Sequence, residues 1–380
     1  MTHAAITSSR KCRTLTAAEI EAFGAEVDAL KQKHLADLGE KDATYIRKIE
    51  KAVRYTEIAG RGLLMAGILP PAFVAGAALL GASKILDNME LGHNVMHGQY
   101  DFMQDPRFSG QTFEWDTWCT ADNWRYSHNY MHHTYTNVLG KDHDIGYGVL
   151  RIFPEQKWEP RFLANPLMAT TLAVLFENLL ALQTLETEKV LAGEKTWKEW
   201  FKQGRPTFRK AGRQMAKDYV FFPLLAGPFF LPVLAGNFVA NIMRNLWTFT
   251  IIFCGHFTEE SEVFALETLE NETRGQWYLR QMRGSANLTG GKLFHIMSGN
   301  LSHQIEHHLF PEVPAWRYAA MSEEMQVIAA KYGQYYNKAP LWRQFGTVVG
   351  RILRHSLPSK PKHQPMVLAR AEPAELAQAA

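Results

Sequence analysis

YVFFPLLAGPFFLPVLAGNFVANIMRNLWTFTIIFCGH, residues 219–256, is an almost unbroken apolar run that ends on a histidine. About 20 apolar residues cross a bilayer, so the run holds two passes, 219–235 and 238–256, with Gly236-Asn237 as the turn between them. On either side stand matching clusters, His128-x-x-x-His132-His133 and His303-x-x-x-His307-His308. Clusters that share one site lie on one side of a membrane, so an even number of crossings must separate them. Two passes satisfy that parity. The apolar segment 167–185 would break it as a third pass, and its Glu177 and Asn178 are costly in lipid. That segment is expected in the interface or on the cytosolic domain.

An earlier pair of passes has the same form. Residues 62–82 are largely apolar but interrupted by Pro70-Pro71, and a proline pair favours a turn over a continuous helix. The reading is a hairpin with arms at about 55–69 and 72–95, the first carrying Glu57 and Arg61. Arg47, Lys48, Lys51 and Arg54 precede it, and the positive-inside rule puts them in the cytosol. The hairpin returns the chain to that side, where a third cluster, His93-x-x-x-His97, comes next. Both turns are uncharged, which leaves nearly all lysines and arginines on the histidine side. The expected fold is an all-α membrane protein of four transmembrane helices in two hairpins, under a cytosolic helical cap that carries a histidine-rich site. Around this domain, 45–335, lie a polar N-terminal segment, 1–44, and a C-terminal tail, 336–380. The first contains an amphipathic stretch, 17–38, whose Asp28, Lys31, Lys33 and His34 form a solvated face. The second ends in a Pro/Ala-rich piece, from 356, expected to be disordered. Between them, 321–332 reads as an amphipathic helix.

Bulk properties agree with a divided chain. Hydrophobic residues are 46% of 380, yet mean hydropathy is −0.23, so an apolar part is diluted by a large polar one. A net charge of +3, with no basic run interleaved with aromatics, gives no footing for nucleic acid. Cys12, Cys119 and Cys254 form no disulfide framework and suit a reducing compartment. The first residues, MTHAAITSSRKCRTLTAAEIEAF, lack the apolar core of a secretory signal. A catalytic site on the cytoplasmic face of the cell inner membrane is the expectation.

The three clusters hold eight of the 15 histidines. Four imidazoles saturate an ordinary zinc site, so eight or more imply two metal ions. In a helix, residues i and i+4 share a face, which pairs His93 with His97, His128 with His132, and His303 with His307. The adjacent His133 and His308 turn about 100° away and suit a second ion or a bridging direction. Structural zinc would call for cysteines, and the hydrolytic H-E-x-x-H motif is absent because residues 94 and 129 are Asn. Softness alone leaves copper open; two nitrogen-ligated irons would make an oxygen-activating centre.

The strings GHNVMHGQ (92–99), HNYMHHTYTN (128–137) and QIEHHLFP (304–311) resemble the three histidine boxes of the integral-membrane fatty acid desaturases, bacterial acyl-CoA or acyl-lipid enzymes among them. The resemblance covers roughly 45–335. It implies four transmembrane helices, a cytosolic cap and two irons, with His256 at the end of the fourth span as a further ligand. It also leaves one post open: His303 pairs by spacing with His307, whereas the QIEHH pattern favours Gln304. Asp142 and Asp144 are implied to orient ligating imidazoles. Glu90, three residues before His93, and Asp87 read either that way or as a helix end emerging into water. Trp115, Trp118 and Trp124 read as walls of an acyl tunnel or as interfacial anchors. His143, between the two acids, reads equally as a surface-loop residue, and His355 and His363 have no ligand-like company.

The activity implied by the resemblance is that of an oxygen-dependent desaturase, which places a cis double bond in a long-chain acyl-CoA or acyl-lipid, with Δ9 as the family's suggestion. No catalytic acid or base beyond the metal site is needed, because unactivated C–H bonds resist such chemistry. No haem-binding His-Pro-Gly-Gly, ferredoxin cysteine spacing or flavin fingerprint occurs, so a separate ferredoxin-like or cytochrome donor with its reductase is implied. The rivals are a hydroxylase of acyl chains or alkanes on the same fold, and a histidine-lined metal transporter.

Overall fold

A computed structural model describes residues 12–359 of the protein. It is built of helices, as expected. α1 (Ala17–Ala36) starts at a capping box in which Thr16 and Glu19 satisfy each other's backbone N–H groups. α2 (Glu40–Met65) and α3 (Pro70–Ile85) form the first hairpin. Its turn falls at the proline pair because proline lacks an N–H and fits only the opening of a helix. α4 (Asn165–Val174) and α5 (Phe176–Gln183) come next; with the turn Pro160–Ala164 before α4, they bend by 99° at Leu175. α6 (Trp197–Ala216) continues through 217–225 to a reversal at Gly227, where φ is +56°, and α7 (Phe230–His256) returns. α8 (Arg274–Arg283), β1 (Asn287–Thr289), α9 (Gln304–Leu309), α10 (Tyr318–Lys331), β2 (Lys338–Pro340) and α11 (Leu341–Ser356) complete the chain, and β1 pairs in parallel with β2.

The second hairpin turns about ten residues earlier than Gly236-Asn237. That dipeptide lies inside α7 and is buried. A Cβ on Gly236 would stand 2.3 Å from Leu64 Cδ2, so the glycine is there to let α7 approach α2. Asn237 Nδ2 donates to the Asp218 carbonyl at 2.7 Å, and its Oδ1 accepts from Arg61. A glycine–asparagine pair that reads as a turn serves here as a packing notch and a polar partner. Gly60 and Gly76 play the first of these roles between α2 and α3. Among the described residues, one helix, Gly227–His256, is long and apolar enough to cross a membrane.

Two terminal expectations change. α1 packs its Phe23 and Val27 against Leu279, Met282, Ile305 and Met321, so it belongs to the core that carries the third histidine box. His34, expected on a solvated face, is buried against Glu324 at 3.2 Å. The segment 336–356 is no tail: it contains β2 and α11, whose Val348 and Ile352 enter the main core beside α7. The Arg351 and His355 side chains are buried with them, which masked the pattern in the sequence. Residues 360–380, with His363 and most of the disorder expected there, lie outside the described residues. The helix expected at 321–332 is α10.

Candidate metal centre and substrate cavity

Two of the three histidine boxes are delivered by locally altered helices. α3 runs on through a wider π-helical turn, Leu86–Gly92, into His93–Met96, which carries the first box. The second box lies on a π-helical segment, Arg125–His132. There the His133 N–H bonds the His128 carbonyl, five residues back. This i→i+5 closure returns His133 beneath His128, in place of the 100° offset of an α-helix. The third box sits on α9, and His303 precedes it with φ −106° and ψ 57°. Outside the helix, His303 loses the spacing relation to His307. It stacks on His295, with ring centroids 4.6 Å apart, and neither of its nitrogens has a hydrogen-bond partner. The Gln304 amide nitrogen, by contrast, lies 2.9 Å from His256 Nε2.

The remaining histidines converge in two groups. His93, His97, His128 and His307 hold their ligand nitrogens within 4.8 Å of one another, and so do His132, His256 and His308. His133 joins the groups through His307 and His308. Nε2 atoms face each other at 3.2 Å for His93–His128, 3.1 Å for His133–His307, 3.3 Å for His132–His256 and 3.1 Å for His308–His256. Bare lone pairs repel at such range, whereas metal–nitrogen bonds of about 2.0–2.1 Å put ligands of one ion about 3 Å apart. His97 Nε2 is buried without a partner. The donor set fits two cations with nitrogen ligands.

The rings are held from behind. His132 Nδ1 donates to Asp142 at 3.1 Å, and Asp142 is itself fixed by the backbone N–H groups of Asn137 and Asp144. Asp144 stands farther off, 3.7 Å from the same nitrogen. His308 Nδ1 donates to Gln281 Oε1 at 3.1 Å, with Thr136 Oγ1 at 3.2 Å. His93 Nδ1 donates to Asn94 Oδ1 at 3.1 Å. Such outer contacts fix which nitrogen faces the metal. Gln281, Thr136 and Asn94 were invisible in the sequence, being ordinary polar residues with no spacing signal. Glu90 touches none of these histidines; fully buried, it accepts from Tyr45 and Asn300 and ties the box-one helix to α2, so neither sequence reading of it holds. His143 is exposed beside Glu188, away from the centre.

Burial and mutual repulsion hold His97, His128, His133, His307 and His308 well below the ordinary histidine range, so they stand neutral and ready to ligate. His132 differs. Burial opposes its charge too, but Asp142, aided by Asp144, outweighs that and pushes it up to about 9. The metal-free site therefore keeps a proton on His132 at neutral pH that an incoming cation must displace. Metal affinity should rise with pH by one proton's worth up to about 9 and flatten above it. Asp142→Asn should remove that slope and lower affinity by about 10–100-fold. Metal-binding isotherms across this pH range check both, and a flat wild-type profile would count against the assignment.

A cavity borders both groups, touching His93, His128, His132, His256 and Gln304. Trp115 and Trp124 are buried and wall it, as one sequence reading had them; Trp118 lies beside it and donates its N–H to Glu177. Tyr147, Phe176, Leu180 and Ile252 line it too, with a buried ion pair, Glu177–Arg244, and Asn88, Asn245 and Thr248. Glu177, which marked 167–185 as unfit for lipid, finds its partner here.

Residues 69–340 match the family profile described as fatty acid desaturase. The chain is 43% identical over 350 residues to the NADPH-dependent stearoyl-CoA 9-desaturase of Mycobacterium tuberculosis, covering 91% of this chain and 82% of that protein. It is 26% identical over 307 residues to the sn-1 linoleoyl-lipid 6-desaturase of Synechocystis, covering 74% and 79% respectively.

Proposed function

The chain belongs to the fatty acid desaturase family, and from that premise we propose that it is an acyl-CoA 9-desaturase of the cell inner membrane with its site on the cytoplasmic face. The observation that carries this reading is the meeting of three histidine boxes and His256 in two groups on the wall of one largely apolar cavity. His93, His97, His128 and His307 would hold one iron, and His132, His256 and His308 with the Gln304 amide the other, His133 standing between them. Once bound, these irons supply the O2 chemistry that strips two hydrogens from neighbouring unactivated methylenes.

The chain's own residues supply position and dryness. Trp115, Trp124, Tyr147 and Phe176 press on the acyl chain, presenting fixed carbons to the histidine clusters. Asp142, Gln281 and Asn94 keep the imidazoles aimed through the cycle. Two electrons per double bond have to arrive from outside. The mycobacterial relative's name couples the reaction to NADPH, and we carry that over: NADPH would feed a ferredoxin-like or cytochrome donor through its reductase.

We read four membrane passes, in two hairpins that share one face of the cap, with the second turn moved to Gly227. Large apolar side chains left exposed near the hairpin tips support this: Ile68, Leu69, Leu224, Leu225, Leu231 and Phe238. The bent pair α4–α5 stays at the interface, keeping the crossings even. Expressing the chain in a host with a suitable reductant and analysing its lipids by gas chromatography should give new monoenes with the bond after the ninth carbon. Hydroxylated chains in their place would sink the desaturase reading in favour of a hydroxylase on the same fold.

A further inference from the structure

We propose that the outer face of α6 and its continuation to 225 binds an anionic phospholipid, with the headgroup on a row of unpaired cations and an acyl chain in the groove below them. The inference rests on the reading of 219–256 as membrane passes. Lys198, Lys202, Arg205, Arg209 and Arg213 follow one another at steps of four, three, four and four, which sets them in a single stripe along α6. All five are exposed. Among the described residues none of them has an acidic partner. Their neighbours round the helix do: Lys210 is held by Glu114 and Lys217 by Asp116. The one acid of α6, Glu199, caps its first turn.

The row leads into the bilayer. Beyond it the same face carries a shallow groove, headed by Arg213 and Lys217 and lined further down by Val220, Phe221, Leu224 and Leu225. Those four apolar side chains are exposed. From residue 213 to 225 the helix rises about 18 Å, and one leaflet of hydrocarbon is about 15 Å deep. Cations at the head of such a groove and apolar side chains along the rest of it match a phosphate with a chain beneath. The placing of basic residues on the cytosolic side of a membrane accounts for their number. It does not account for their alignment in one row above the groove. An acidic soluble protein would meet the cations alone and leave the groove empty. Trp197 and Phe201, exposed on the strip beside the row, suit the headgroup layer, where aromatic rings settle.

The test uses the full chain in detergent, equilibrated with equal amounts of phosphatidylglycerol and phosphatidylcholine, with retained lipid counted by native mass spectrometry. Each cation beside an anionic headgroup favours binding about fivefold. With Arg213 in the groove and Arg209 one turn above it, the unaltered protein should prefer phosphatidylglycerol by about 25-fold. Arg209→Gln with Arg213→Gln should abolish that preference, and Arg209→Lys with Arg213→Lys should retain it. Sodium chloride at about 1 M, where charges are screened beyond about 3 Å, should shrink it in the unaltered protein. The salt arm decides if the Gln variant does not fold. Equal retention of the two lipids, or a preference that survives either the Gln variant or salt, overturns the inference. Unchanged lipid retention with slower electron delivery from a donor protein would make the row that donor's docking face, and would overturn it too. If the chain stays in solution without detergent and keeps neither lipid, the membrane reading falls, and the lipid site with it.

Discussion

Replacing His132 by alanine should abolish double-bond formation and empty at least one of the two metal positions. The side chain is central for two reasons. Its Nε2 lies 3.3 Å from that of His256, in the group that also holds His308. Its Nδ1 takes up Asp142, so deletion also leaves a buried carboxylate facing no imidazole. The loss should exceed the roughly 10–100-fold that removal of an outer partner costs. Iron per polypeptide and product by gas chromatography measure it together. His303→Ala is the informative contrast: equally buried and five residues from His308, it stacks on His295 and should keep both metal and activity. Product formation surviving in His132→Ala, or lost in His303→Ala, would redraw the centre.

The second large effect is on stability, with no histidine involved. Asp218 is buried where α6 runs towards its turn, and it receives Lys84 Nζ at 2.7 Å and Arg61 Nη2 at 3.2 Å. Asn241 reaches the same carboxylate at 3.3 Å, and Arg61 also lies 3.8 Å over the Phe222 ring. One acid thus neutralises two cations from the other hairpin. Asp218→Ala would leave Lys84 buried without its counter-charge and Arg61 with Glu57 alone, at 3.0 Å, a cost of about 3–5 kcal/mol. The thermal unfolding midpoint in detergent should fall accordingly, with Asp218→Asn intermediate because it keeps a hydrogen-bonding head. A wild-type midpoint for Asp218→Ala would mean that water reaches the cluster.

Where the sequence was legible, a local rule and the tertiary structure demanded the same thing. Pro70-Pro71 opens a helix after a turn in any context, and the histidine boxes carry their spacing openly. Where it misled, one local signal served another end. Gly236 is required by the Leu64 side chain across the hairpin, a contact no periodicity encodes, while the actual reversal at Gly227 hides among prolines. His303 met the spacing rule but fell one residue outside α9, so the rule had no helix to act on. Glu177 was recognised as a misfit in lipid, yet its partner Arg244 lies 67 residues away and only the fold brings them together. α11 went unread because Arg351 and His355 are polar residues that the structure buries.

The i→i+5 closure at the second box has a consequence for how this stretch can change. Tyr126 and Tyr130 point outward, 60% and 53% exposed, so their identities are lightly held. Its residue count is another matter. Removing one residue between Trp124 and His132 would let ordinary α-helical bonding resume and swing His133 off His307, separating the two histidine groups that it joins. The outward positions of the segment can trade side chains but the segment tolerates no insertion or deletion, so the centre is guarded by the length of a stretch of helix as much as by the histidines on it.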